Sequence, residues 1–104
     1  MNNKPIIVNI PASFKEQVEE QDIINCTGGT VREVLEDLMV QYPKVRGKLL
    51  INGNINRFVN IYLDDEDIRY LEDLETKLQG GEELTLLPAI AGGWFEKIKK
   101  KHPQ

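Results

Sequence analysis

Two adjacent glycines, Gly92 and Gly93, close the run Pro88-Ala89-Ile90-Ala91-Gly92-Gly93, and Trp94 and Phe95 follow at once. Having no Cβ, a glycine pair fits a channel too narrow for side chains and takes backbone angles closed to other residues. Beyond a compact domain, such a pair suits a tail that reaches into another protein's active site. A loop or capping pair is the commoner use of the dipeptide. The preceding residues favour the tail: Glu83-Leu84-Thr85-Leu86-Leu87 is strand-like and stops at Pro88, so the glycines lie just past a closing strand. The chain runs on to Gln104, so Gly93 carries a peptide bond and not a free carboxylate.

The other reactive side chains do not assemble into a site. Cys26 is the only cysteine, which rules out an intrachain disulfide framework. It stands at the end of an apolar run with no histidine near it and reads as a small buried residue, not a nucleophile. The only histidine, His102, falls among the last residues. Asp64-Asp65-Glu66-Asp67 invites a metal reading, but a calcium loop needs alternating acidic ligands, a central glycine and a distal glutamate. The run reads as a solvated turn between short strands. No Ser/His/Asp or Cys/His arrangement and no metal-ligand spacing is present, so no catalytic, metal or cofactor site is expected.

Charge sharpens the picture. The net charge is -4, but residues 1–93 carry 9 Lys and Arg against 16 Asp and Glu, a balance of -7. Residues 94–104 carry Lys97, Lys99, Lys100 and Lys101 against Glu96, a balance of +3. An acidic body argues against nucleic acid, which needs clustered cations on a folded surface. No apolar run approaches the roughly 20 residues of a membrane span. The N-terminus lacks the apolar segment and cleavage site of a signal peptide. A cytoplasmic location with no membrane association is expected.

The elements that position the diglycine can be read in order. At 104 residues the chain forms one domain with a single modest core. Ile6 to Ile10 alternates as a strand and ends at Pro11. Ser13 to Gln21 is a loop or a single helical turn, with Phe14 and Val18 as its apolar points. Asp22 to Cys26 is a second strand. Thr30-Val31-Arg32-Glu33 is a capping box, and Val31, Val34, Leu35, Leu38, Met39 and Tyr42 follow as one helical stripe. Pro43 ends the helix. Lys44 to Arg57 is a connection containing the turn Asn52-Gly53-Asn54. Phe58 to Leu63 is the clearest strand, Ile68 to Leu71 a short one, and Leu84 to Leu87 closes the domain.

The order is β-β-α-β-β-β. One long helix covers only one face of a sheet, so the strands must alternate between core and surface, as they do. This predicts an α+β fold: a ubiquitin-like β-grasp whose mixed sheet packs on one main helix. The expected organisation is a β-grasp domain over 1–88, a flexible Gly-Gly tail over 89–93 and a C-terminal extension over 94–104. In that fold the closing strand lies between the strands of Ile7 and Phe58. Ile7, Phe58, Tyr62 and Leu87 then share the face away from the helix, a candidate partner-binding surface.

Residues 6–93 resemble a known family, the ubiquitin-like sulfur carrier proteins of the MoaD and ThiS type. The resemblance rests on Thr30-Val31-Arg32-Glu33-Val34-Leu35, on Arg57-Phe58-Val59-Asn60-Ile61-Tyr62 with Asp65-Glu66-Asp67-Ile68-Arg69, and on Leu87-Pro88-Ala89-Ile90-Ala91-Gly92-Gly93. The middle segment is most similar to carriers feeding cysteine or homocysteine synthesis. The resemblance implies that an E1-like enzyme adenylates the C-terminal glycine carboxylate. Sulfur then replaces AMP to give a thiocarboxylate, and a PLP-dependent sulfhydrylase accepts that sulfur. Gly93 would be the activated residue, and Gly92 and Ala91 the tail leading to it. Some relatives carry residues past the glycines that a zinc metalloprotease of the JAMM type removes, which implies cleavage between Gly93 and Trp94. A ubiquitin-like modifier or interaction domain, and a carrier for molybdopterin or thiamin synthesis, are the other readings.

Overall fold

A computed structural model describes residues 4–88. The expected tail and extension, with Ala91, Gly92, Gly93 and Trp94, lie outside the described residues. The main sheet has five strands: β1 (Ile6–Asn9), β2 (Ile23–Cys26), β5 (Val59–Leu63), β6 (Glu66–Asp67) and β7 (Glu83–Pro88). Their order is β2-β1-β7-β5-β6. β7 runs parallel to β1 and antiparallel to β5. One face is covered by α1 (Val31–Gln41). This is the ubiquitin-like β-grasp, with a mixed sheet on one main helix.

Sequence dictates this layering. Val8, Ile24, Val59, Ile61, Leu84 and Leu86 alternate with polar or half-exposed residues and are buried on the inner face. Opposite them Val31, Val34, Leu35, Leu38 and Met39 form the buried stripe of α1. At roughly 25 cal/mol per Å² of apolar surface removed from water, joining two such faces is the main favourable term in folding.

The helix start departs in detail from the expected box. The Glu33 N–H donates to Thr30 Oγ1 at 3.2 Å, as expected. The Glu33 carboxylate, however, accepts from the Gly29 N–H at 2.7 Å, one residue before the cap. Thr30 lies in an extended bridge opposite Lys77, and the carboxylate reaches past it. Gly28 has no room for a side chain: a Cβ there would lie 2.8 Å from both Glu33 Cβ and the Val34 nitrogen.

Three segments differ from what their sequence suggested. Ala12–Val18 is a run of 3-10 helix that buries Phe14 and Val18, rather than a loop or single turn. Within the expected connection 44–57, Pro43–Val45 and α2 (Arg46–Leu49) bury Val45 and Leu49 completely. A small hairpin follows, β3 (Leu50–Ile51) and β4 (Asn54–Ile55), turning at Asn52 and Gly53 with positive φ. Ile68–Tyr70 is 3-10 helix and not a strand.

Leu35 is 2% exposed at the centre of the α1 contact. Leu35→Ala is expected to lower unfolding free energy by about 2–5 kcal/mol, through lost transfer energy and the cavity left behind. Urea denaturation followed by circular dichroism measures this; an unchanged midpoint would show that Leu35 lies outside the core.

Candidate functional site

The candidate site is the outer face of the sheet around the end of β7. Pro88 pairs with Val59 and Leu87 with Asn60, while Thr85 pairs with Tyr62 and Leu84 with Leu63. On the other edge Ile7 is level with Glu83 and Asn9 with Thr85. Ile7, Tyr62 and Leu87 therefore lie on the face away from α1, as does Phe58, which precedes Val59. They are not one contiguous patch. Phe58 and Leu87, 42% and 43% exposed, flank the root of the tail. Tyr62 lies further along β5, and Ile7 at the far end is separated from Leu87 by Asn9 and Thr85, whose side chains bond at 3.0 Å.

Phe58 is held in place by its neighbours. Asn56 Oδ1 accepts from the Phe58 N–H at 2.8 Å, and Asn56 Nδ2 donates to the Lys48 carbonyl at 3.0 Å. The Arg57 guanidinium stands 5.3 Å from the centre of the Phe58 ring. The result is an aromatic side chain with a cation above it, beside the last described residue of the closing strand.

A second cation on this face was not assigned a role from sequence. Asp67, expected in a solvated turn, is buried, because Arg69 closes over it. Its Oδ1 accepts from the Arg69 N–H at 2.9 Å, and its Oδ2 accepts from Arg69 Nη2 at 2.6 Å. Nη2 also lies 3.4 Å from Asn60 Oδ1, across from Leu87. The hydrogen bonds from Arg69 hold the Asp67 carboxyl below the usual aspartate range, and the same pairing raises Arg69. The sequence signal was opposite charges two residues apart at a strand end, which alternation alone cannot mark as a pair.

Nothing among the described residues supplies chemistry. Burial, with Asp37 nearby, pushes the Cys26 thiol up to about 12, so it is protonated at neutral pH. Gln41 Nε2 approaches its sulfur at 3.6 Å, and the Asp37 carboxylate bonds to it as well. No cluster of three His, Cys, Asp or Glu among the described residues could hold a metal. Among them, too, no helix is long and apolar enough to cross a membrane.

Residues 8–93 match the model of the ThiS family. The chain belongs to the ThiS family. The match runs through the diglycine and stops at Gly93. The sulfur carrier protein CysO of Mycobacterium tuberculosis is 35% identical over 91 residues, spanning 85% of this chain and 98% of that one. A chain in the crystal structure of the Amycolatopsis orientalis BexX/CysO complex superposes with a TM-score of 0.77 at 32% identity, covering 85% of this chain and 99% of that one. The small archaeal modifier protein 1 of Methanosarcina acetivorans gives 0.78 at 26%, covering 88% and 98%. The CysO relative is a sulfur carrier protein and not an enzyme.

Two outcomes follow. Native Cys26 is expected to resist a thiol reagent at pH 8 and to react fully in denaturant; rapid native labelling would contradict its burial. The Asp67–Arg69 pair stabilises the fold above the ordinary aspartate pKa, and that contribution fades as pH falls through the depressed value. Asp67→Asn should therefore flatten the acid limb of a stability–pH curve; an unaltered limb would show that the pair contributes nothing.

Proposed function

We propose that this chain is a sulfur carrier whose working group is the carboxylate of Gly93, made as a precursor that is cleaved between Gly93 and Trp94. The observation that carries the reading is the extent of the family match, which continues past the closing strand and ends at Gly93. The CysO relative supports it from the other side. It is spanned almost completely by 85% of this chain, so this chain has residues which that relative lacks.

The chemistry then follows from bond character. A free carboxylate oxygen can attack the α-phosphorus of ATP, releasing pyrophosphate and leaving an acyl-adenylate. A peptide carbonyl cannot, so Trp94–Gln104 must be removed first; a JAMM-type metalloprotease fits that step. An E1-like enzyme performs the adenylation. A sulfur nucleophile then displaces AMP and leaves a thiocarboxylate on Gly93, with Gly92 and Ala91 forming the slim approach. A PLP-dependent sulfhydrylase of cysteine or homocysteine synthesis is the acceptor that fits. Phe58, Leu87 and Tyr62, with Ile7 at the margin, supply the surface met by these enzymes. The likeness to a chain in a BexX/CysO complex supports docking to a partner protein.

A second reading is a protein modifier joined through Gly93 to a lysine. The likeness to a small archaeal modifier protein favours it. Incubating the form ending at Gly93 with an E1-like enzyme, ATP and a sulfide source separates the two. Intact mass rising by the exchange of one oxygen for sulfur is the carrier outcome. An isopeptide-linked conjugate without that exchange is the modifier outcome and would overturn the proposal. In the same assay Phe58→Asp is expected to abolish activation while the circular dichroism spectrum stays native. Full activity of that variant would remove Phe58 from the partner surface.

A further inference from the structure

We infer that, before cleavage, residues 94–104 dock on the outer face of this chain's own sheet and cover the surface proposed for partner enzymes. The face is polarised along its length. Beside Pro88 it presents Phe58 and Leu87, half exposed, with Arg57 over the Phe58 ring. Moving toward the other end, Tyr62 borders an open concavity lined by Asp64, Asp65, Glu66, Tyr70 and Leu71, with Arg69 held on Asp67 beside it. Glu83 lies at that end as well, and its backbone N–H donates to Asp64 Oδ1 at 3.2 Å. Lys15, Arg32 and Arg69 pair with Asp22, Glu75 and Asp67 and not with Asp64, Asp65 or Glu66, while the Glu83 carboxylate accepts from Asn9 Nδ2 at 3.2 Å.

The segment has the complementary order. It begins with Trp94 and Phe95, continues with Ile98, and carries Lys97, Lys99, Lys100 and Lys101 in its second half. A chain that leaves β7 at Pro88 and doubles back meets the apolar end first and the acidic end second. Gly92 and Gly93 allow such a reversal, because they adopt backbone angles that other residues avoid. Length permits it. From the level of Leu87 to that of Glu83 is four residues of β7, about 13 Å at 3.3 Å per residue. Trp94 to Lys101 is seven steps, about 23 Å when extended, which covers that distance.

Charge selects this face over the other apolar groove, between α1 and the β3–β4 hairpin. That groove is lined by Met39, Val40, Leu50 and Ile55 and holds Glu36 against Arg32 and Arg46, whereas the outer concavity holds Asp64, Asp65, Glu66 and Asp67 against Arg69 alone. The body as a whole attracts the segment, since residues 1–93 carry -7. Docking stands on these electrostatics and not on the sulfur reading. Only its consequence, that cleavage bares both the carboxylate and the docking face, rests on that reading.

Trp94 is the only tryptophan, so its fluorescence reports the docking directly. In the full chain at about 0.1 M salt, its emission is expected to be blue-shifted and protected from acrylamide, a neutral quencher. Raising salt to about 1 M shortens the screening length from roughly 10 Å to 3 Å and should release it. The exposed pair Asp65→Lys with Glu66→Lys should release it at low salt, with circular dichroism confirming the native fold. Fully exposed Trp94 in the unaltered chain at low salt would overturn the inference. So would protection that rises with protein concentration, which marks a second copy as the occupant, or protection seen only with vesicles of anionic phospholipid. Activation assays on the Gly93 form do not involve Trp94, so failure of the sulfur reading and failure of docking are told apart.

Discussion

β7 is hydrogen-bonded on both edges, to β1 on one side and to β5 on the other. Leu84 and Leu86 point into the core and are almost wholly buried. The last strand of the domain is thus its central strand. It cannot fray without opening the sheet, so its described end at Pro88 is held in place. The proposed use of Gly93 by partner enzymes needs that fixed origin more than it needs any reactive side chain.

The rest of the architecture supports that strand. α1 closes the inner face, its start fixed by the Thr30 cap and by the Glu33 carboxylate on Gly29. The 3-10 run with Phe14 and the short α2 with Leu49 fill the margins of the core. On the outer face Asn56 sets Phe58 beside the strand's exit, while Asp67 holds Arg69 against the sheet near Asn60. Helix-side residues serve stability, and the sheet side carries the residues proposed for recognition. Cys26 spends its side chain on packing, buried and protonated.

Much of this was legible in the sequence where periodicity is long. The α1 stripe from Val31 to Met39, the stop at Pro43, the alternating strands at Ile6 and Val59 and the closing run at Leu84 each repeat often enough to mark a face. Short elements carry no such signal. Val45 and Leu49 are fully buried by one helical turn, too brief to register as a period, and the Ile68–Tyr70 turn looked like a strand for the same reason. Asp67 was hidden differently. An acid among acids reads as solvated, and only the fold shows that Arg69 lies over it. The apolar members of the outer face were assigned correctly to one side, but their spacing depended on strand register. That register places Ile7 level with Glu83 and far from Leu87.

The proposed activation has one requirement that no feature of the fold can replace, a free carboxylate at Gly93. ATP–pyrophosphate exchange catalysed by an E1-like enzyme reads that requirement alone, before any sulfur or acceptor enters. The form ending at Gly93 is expected to support exchange, and the chain continuing to Gln104 is expected to support none. Equal exchange by both forms would contradict activation at Gly93 and leave the diglycine without the role proposed for it.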